Sequence, residues 1–169
     1  MNLAYADPPY PGQAKKHYSH DSRCAEVDHA ELIGRLDRDY DGWVLSSGAD
    51  LAAMQMVVPL LPRGARVGCW IKPFASFKPG VNPAYAWEPV YFKPARRRGR
   101  EVPTVRDWVA APITLKRGLS GVKPDAVCWW LFDVLGAEPG DSFDDIFPGS
   151  GAVTRAWRAW NDSPLRRLA

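Results

Sequence analysis

Cysteine is scarce in this sequence: Cys24, Cys69 and Cys128 are the only three among 169 residues, and they lie far apart in mostly apolar contexts. An odd, scattered set argues against a secreted disulfide framework and makes a reducing, cytoplasmic setting the expectation. No run of about 18 uncharged apolar residues occurs, and the opening MNLAYADPPYPG has no basic stretch leading into an apolar one. Neither a membrane span nor an export signal is expected. Charge of one sign is also lacking, since 22 Lys+Arg against 19 Asp+Glu leave a net charge of only +3. That sum alone does not imply nucleic acid; its distribution matters more.

What is present is globular. Hydrophobic residues make up 46%, eight are Trp, and 16 Pro with 14 Gly stay below the level of low-complexity chains. At a prior of about 150 residues per domain the chain reads as one domain over 1–169, able to bury roughly 70% of its unfolded surface.

Short apolar runs end in turn signals. Met1–Ala6 is cut off by Asp7-Pro8-Pro9, because consecutive prolines stop both ladder pairing and an immediate helix. Further strands are predicted at 43–47, 66–71, 87–92 and 142–147. Helices are predicted from Asp28 to about Asp39, where Leu32, Ile33 and Leu36 share one face, over 50–61, over 125–135, and from the Gly149-Ser150-Gly151 turn to about Trp160. Strands alternating with helices imply an α/β fold with a mostly parallel sheet and helices on both faces. Ligands in such sheets bind beyond the carboxyl ends of the strands, where both unusual loops, 7–10 and 147–151, fall.

The first loop, Asp7-Pro8-Pro9-Tyr10, combines a carboxylate, a carbonyl outside any helix and an aromatic ring in one stiff tetrapeptide. Asp7 and the Pro8 carbonyl would accept the two hydrogens of a planar ring's amine while Tyr10 stacks on the ring. The second, Asp145-Ile146-Phe147-Pro148-Gly149-Ser150-Gly151, lets a ligand approach backbone N–H groups at a helix start. It lacks both the G-x-G-x-x-G pattern and a following Lys-Ser/Thr, so dinucleotide and P-loop readings are poor. Each loop alone also reads as an ordinary turn.

Together the two loops resemble the S-adenosylmethionine-dependent amino-methyltransferases of nucleic acids, in the permuted order that places the donor loop late. The resemblance continues through Trp70-Ile71-Lys72-Pro73, Trp87-Glu88-Pro89-Val90 and Lys123-Pro124, and so spans nearly the whole chain. It implies a reduced Rossmann-like methyltransferase fold, S-adenosylmethionine as cofactor and no metal. By position, Asp7, Pro8, Pro9 and Tyr10 would be catalytic; Asp145, Phe147, Gly149, Ser150 and Gly151 would hold the donor, with Lys123 and Pro124 flanking it. An Asp first in the tetrapeptide implies the N6 amine of adenine in DNA. RNA or cytosine-N4 substrates, and a non-catalytic nucleic-acid-binding relative, stay open. Only residues 161–169 follow the donor-loop helix, so the family's next strand, whose acid holds the donor ribose, has no counterpart in the sequence given. The expectation is a sheet two strands shorter at one edge, with Asp162 or a second copy of the chain, a homodimer, serving instead.

One charge cluster stands out, Arg96, Arg97, Arg98 and Arg100, in an aperiodic basic insertion over about 94–118 that also holds Arg106, Lys116 and Arg117. These arginines are candidates for phosphate contacts and equally a solvated loop. His17, His20, Cys24 and His29 are ligand types without the paired spacing of zinc sites. Cys69, Cys128, Trp43, Trp70, Trp129 and Trp130 are expected in the core, and Trp87 and Trp108 are the tryptophans to consider for base contacts.

Overall fold

The structure, a computed structural model, describes residues 1–9, 27–74, 80–114 and 122–162. Tyr10, His17, His20, Cys24, Lys116 and Arg117 lie outside the described residues. Six strands form one sheet: β1 (Asn2–Ala6), β2 (Gly42–Ser46), β3 (Arg66–Ile71), β4 (Trp87–Lys93), β5 (Trp108–Ala110) and β6 (Ser142–Asp145). Their order is β5-β3-β4-β2-β1-β6. The pairs β1/β2, β1/β6 and β3/β5 are parallel, whereas β4 runs antiparallel to both its neighbours. Five strands therefore point one way and one the other, the mostly parallel α/β sheet expected.

Period-2 alternation splits the core in two. Leu3, Tyr5, Val44, Val90 and Phe92 face helices α3 (Asp125–Leu135) and α4 (Ala152–Asn161). Ala4, Ala6, Trp43, Leu45 and Tyr91 face the other way, where α1 (His29–Asp39) contributes Leu32, Ile33 and Leu36, and α2 (Leu51–Val57) contributes Val57. Each fully buried Leu or Phe stabilises by about 1.5–3 kcal/mol, so the central strands β1, β2 and β4 are held by both faces, whereas among the described residues β3, β5 and β6 pack only on the side of α3 and α4, through Trp70, Val109 and Phe143. The helix starts follow from caps: Asp28 accepts from Ala30 N and Glu31 N, and Asp50 from Ala53 N. Gly136 ends α3 at φ 71°, a left-handed conformation that suits glycine.

Several local expectations are corrected. The span 50–61 is a short helix followed by a 3-10 turn at Val58–Leu60, because Pro59 cannot donate to a helix interior. The segment 94–118 contains a strand, β5, too short at three residues to show a period. Trp129 is 49% exposed because it lies on the outer side of α3, and Cys69 is only half-buried; Trp43, Trp70, Trp130 and Cys128 are buried. Pro89 sits within β4, where β2 is already ending, and its carbonyl accepts the Ser47 N–H at 3.3 Å. Among the described residues no helix is long and apolar enough to cross a membrane.

Candidate functional site

Parallel pairing of β1 with β6 sets Tyr5 opposite Asp145, and Ile146 N donates to the Tyr5 carbonyl at 2.9 Å. The two loops singled out in the sequence therefore leave the sheet side by side, at its carboxyl end. Asp7 and Asp145 lie near enough for the charge of Asp7 to act on the Asp145 carboxyl. Pro8 is buried and Pro9 half-buried, which fixes the path of the first loop.

Asp145 is the member of the pair whose carboxyl is perturbed. Burial pushes its carboxyl up, the Thr154 hydroxyl donating to Oδ2 at 2.7 Å opposes this, and the negative charge of Asp7 adds to the rise. Its Oδ1 is buried and has no hydrogen-bond partner among the described residues. A buried acceptor left unmade costs about 1–3 kcal/mol, and this oxygen has capacity for one further hydrogen bond. Phe147 and Ser150 are half-buried. Gly149 at φ 46° and Gly151 at φ 69° adopt left-handed backbone, and a Cβ at Gly149 would meet only the Phe147 carbonyl oxygen, at 3.8 Å. The loop is therefore open at Gly149, whereas Gly151 lies against the Arg155 guanidinium and donates its N–H to the Pro148 carbonyl at 2.6 Å; α4 begins directly behind it with no side-chain cap.

Lys123 stands where α3 begins, just before Pro124, and is buried. Its Nζ is 3.1 Å from Asp7 Oδ2 and 3.2 Å from Glu88 Oε2. Glu88 also pairs with Lys72, just past the end of β3. Both ammonium groups sit over the Trp70 ring, Lys72 at 4.8 Å and Lys123 at 5.4 Å from its centroid. The indole N–H is anchored on the Ala111 carbonyl at 2.8 Å. Burial alone would raise the Glu88 carboxyl; Lys123 and then Lys72 outweigh it and hold the group below the ordinary glutamate range. Lys72 and Glu88 belong to the motifs WIKP and WEPV, but sequence reasoning gave them no role. Charged residues set against the ends of apolar strands were the available signal.

The arginine cluster is elsewhere. It follows β4, and because β4 is antiparallel its end lies at the amino end of β1 and β2, roughly 20 Å of strand from Glu88. Arg96 is committed to the fold: it forks onto Asp141, donates to the Gly136 carbonyl at 3.1 Å and faces Glu138 at 3.2 Å. Arg97, Arg98 and Arg100 are exposed, and Arg97 and Arg98 line a hollow of about 790 Å³ with Arg66 and Arg106. His29 is buried, with Nδ1 2.9 Å from the Val27 carbonyl oxygen, and no metal-ligand cluster occurs among the described residues. Trp87 and Trp108 are 40% and 39% exposed, with the Arg106 guanidinium over the Trp108 ring.

No protein-family model matches the chain, and no curated protein sequence does. Among solved structures it is similar to the crystal structure of M1.HpyAVI in complex with SAM, with a TM-score of 0.60 and 16% identity over 95% of this chain and 78% of that one. The likeness shows the fold, a Rossmann-like α/β architecture with a mostly parallel sheet.

Proposed function

We propose that this chain transfers a methyl group from S-adenosylmethionine to the exocyclic N6 amine of adenine in DNA. The observation that carries the reading is the adjacency of Asp7 and Asp145 at the carboxyl ends of two neighbouring parallel strands. The fold shared with a protein solved with SAM supports it. The donor loop fits such a group: the unpartnered Asp145 Oδ1 takes a hydrogen bond, and the backbone at Gly149, with no side chain packed against it, admits a large ligand. When bound, S-adenosylmethionine supplies an electrophilic methyl carbon.

The residues of this chain then have defined tasks. Asp7 and the Pro8 carbonyl accept the amine hydrogens, draw the nitrogen lone pair out of the ring and aim it at the methyl group. Tyr10 stacks on the extruded base. Pro9 stiffens the loop, and Phe147, Ser150, Lys123 and Pro124 border the donor. Nitrogen gains the carbon, the carbon–sulfur bond breaks, and the amine proton leaves to water. Positioning and electrostatics supply the acceleration, with no covalent nucleophile and no metal. DNA is the partner, with Arg97, Arg98 and Arg100 on its phosphates, and β6 at the edge of the sheet is where a second copy would add.

The test is incubation with labelled donor and genomic DNA, then mass spectrometry of the nucleosides. N6-methyladenine is expected. N4-methylcytosine, or label in RNA alone, would replace the substrate, and no label in any polymer would overturn the reading.

A further inference from the structure

We propose that Glu88 and Lys72 are positioning residues of this site, acting on Asp7 through Lys123. The inference rests on the reading of Asp7 as acceptor of the target amine. An amine-binding carboxylate must present one oxygen in a fixed direction. Lys123 Nζ holds Oδ2 at 3.1 Å. One oxygen is thus restrained, and with it the direction in which the carboxylate faces.

Lys123 cannot impose that direction alone, because four methylene groups give its ammonium many rotamers. Its position is fixed from the far side. Glu88 Oε2 takes the same ammonium at 3.2 Å, while Glu88 Oε1 is held by Lys72. The Trp70 face lies against both cations, and its own N–H is tied to the Ala111 carbonyl. Four charges alternate in sign from Asp7 to Lys72, and the Lys123, Lys72 and Glu88 side chains are 7%, 13% and 16% exposed. The chain is electrically balanced and largely shielded from solvent, so each member keeps the next in place. Period-2 geometry explains why they meet: Trp70 pairs with Glu88 in the β3/β4 register, and Glu88, Val90 and Phe92 share the face covered by α3.

A role confined to the donor pocket would place the effect of this chain in donor affinity, whereas positioning of Asp7 places it in kcat. Glu88→Gln keeps shape and removes charge. In the full-length chain it is expected to lower kcat about tenfold to a hundredfold, as misplacement on the ångström scale does, with donor Kd by calorimetry within about twofold of wild type. Lys72→Gln should act in the same direction, and Lys123→Arg should retain more kcat than Lys123→Met because a guanidinium can still span both carboxylates. A purely structural role would lower the melting temperature and leave kcat unchanged below it. If Glu88→Gln does not fold, Lys72→Gln and the Lys123 pair decide by the same readouts. A kcat that stays at the wild-type value, or a loss accounted for entirely by donor Kd, overturns the inference. An active wild type with an indifferent Glu88→Gln sinks it alone; a wild type inactive on every polymer sinks the reading beneath it as well.

Discussion

Lys123 bridges Asp7 and Glu88, 3.1 Å from one carboxylate and 3.2 Å from the other, and so ties the loop after β1 to β4. The two strands are not neighbours: β2 lies between them, which separates their axes by about 10 Å. A direct carboxylate contact is out of reach at that spacing, and a long cation from the start of α3 fills it. In the intervening β2, Ser46 is engaged with the Tyr5 hydroxyl of β1 at 3.0 Å. The loop carrying Asp7 is therefore tied to β4 through Lys123 as well as stiffened by its own prolines.

Replacing Asp7 with Ala is expected to abolish methyl transfer while donor binding and fold persist. Loss of the amine acceptor should cost more than the roughly 1.4 kcal/mol that one decade of rate represents. Single-turnover kinetics with calorimetric donor binding checks it. A variant keeping more than about a tenth of wild-type rate would remove Asp7 from its role.

Asp145 gives the site a pH dependence. Its carboxyl is raised by burial, against the Thr154 hydrogen bond and with help from Asp7. If the ionised form accepts from the donor, affinity is full at neutral pH and falls on acidification, starting above the ordinary aspartate range. Asp145→Asn should flatten that dependence and weaken donor binding about tenfold to a hundredfold, the worth of one hydrogen bond to a charged group. Calorimetry between neutral pH and mild acid measures both, and an unchanged profile in the variant would exclude Asp145 as the titrating contact.

The part of this site that the sequence made legible was the part carried by short contiguous motifs. Asp7-Pro8-Pro9 and the 145–151 loop are recognisable because proline and glycine restrict or free the backbone within a few residues. The strands β1 and β3 and the helix over 125–135 were legible for the same local reason, a short apolar run, bounded for the helix by Pro124 before it and Gly136 after it. Lys72, Glu88 and their union through Lys123 were not, because that contact joins three segments far apart in sequence, and only the β3/β4 register brings Trp70 opposite Glu88. The antiparallel course of β4 was hidden as well. Alternation alone carries no strand direction, and that direction sends Arg96–Arg100 to the far end of the sheet.

Arg96 and Asp141 are a structural clamp with its own acid signature. Burial would raise the Asp141 carboxyl, but the Arg96 fork and the Met1 ammonium at 2.8 Å, with the Glu138 N–H, hold it far below the ordinary range. A depressed carboxyl contributes stability above its unfolded value of about 3.9 and loses it as pH falls toward the folded value. Unfolding midpoints should therefore be flat near neutrality from this group and drop below about pH 4. Asp141→Asn should cost about 2–4 kcal/mol at neutral pH by leaving Arg96 partly unpaired. Denaturant melts across pH check it, and a variant as stable as wild type at neutral pH would refute the clamp.

The remaining arginines separate from Arg96 by the same geometry. Arg97, Arg98 and Arg100 are exposed, and among the described residues no carboxylate engages them, whereas Arg96 has Asp141 and Glu138. If they neutralise DNA phosphates, converting Arg97 and Arg98 to Ala should weaken binding on every sequence alike, since phosphate contacts position without specifying. The slope of log affinity against log salt should flatten by about 0.9 for each lost contact. Methyl transfer at saturating DNA should be little changed, because the pair lies at the opposite end of the sheet from Asp7. Arg96→Ala should instead lower the melting temperature and leave the salt slope as it was. Filter binding over a salt series with all three variants decides the matter: an unaltered slope in the Arg97/Arg98 double variant assigns those side chains to solvent alone.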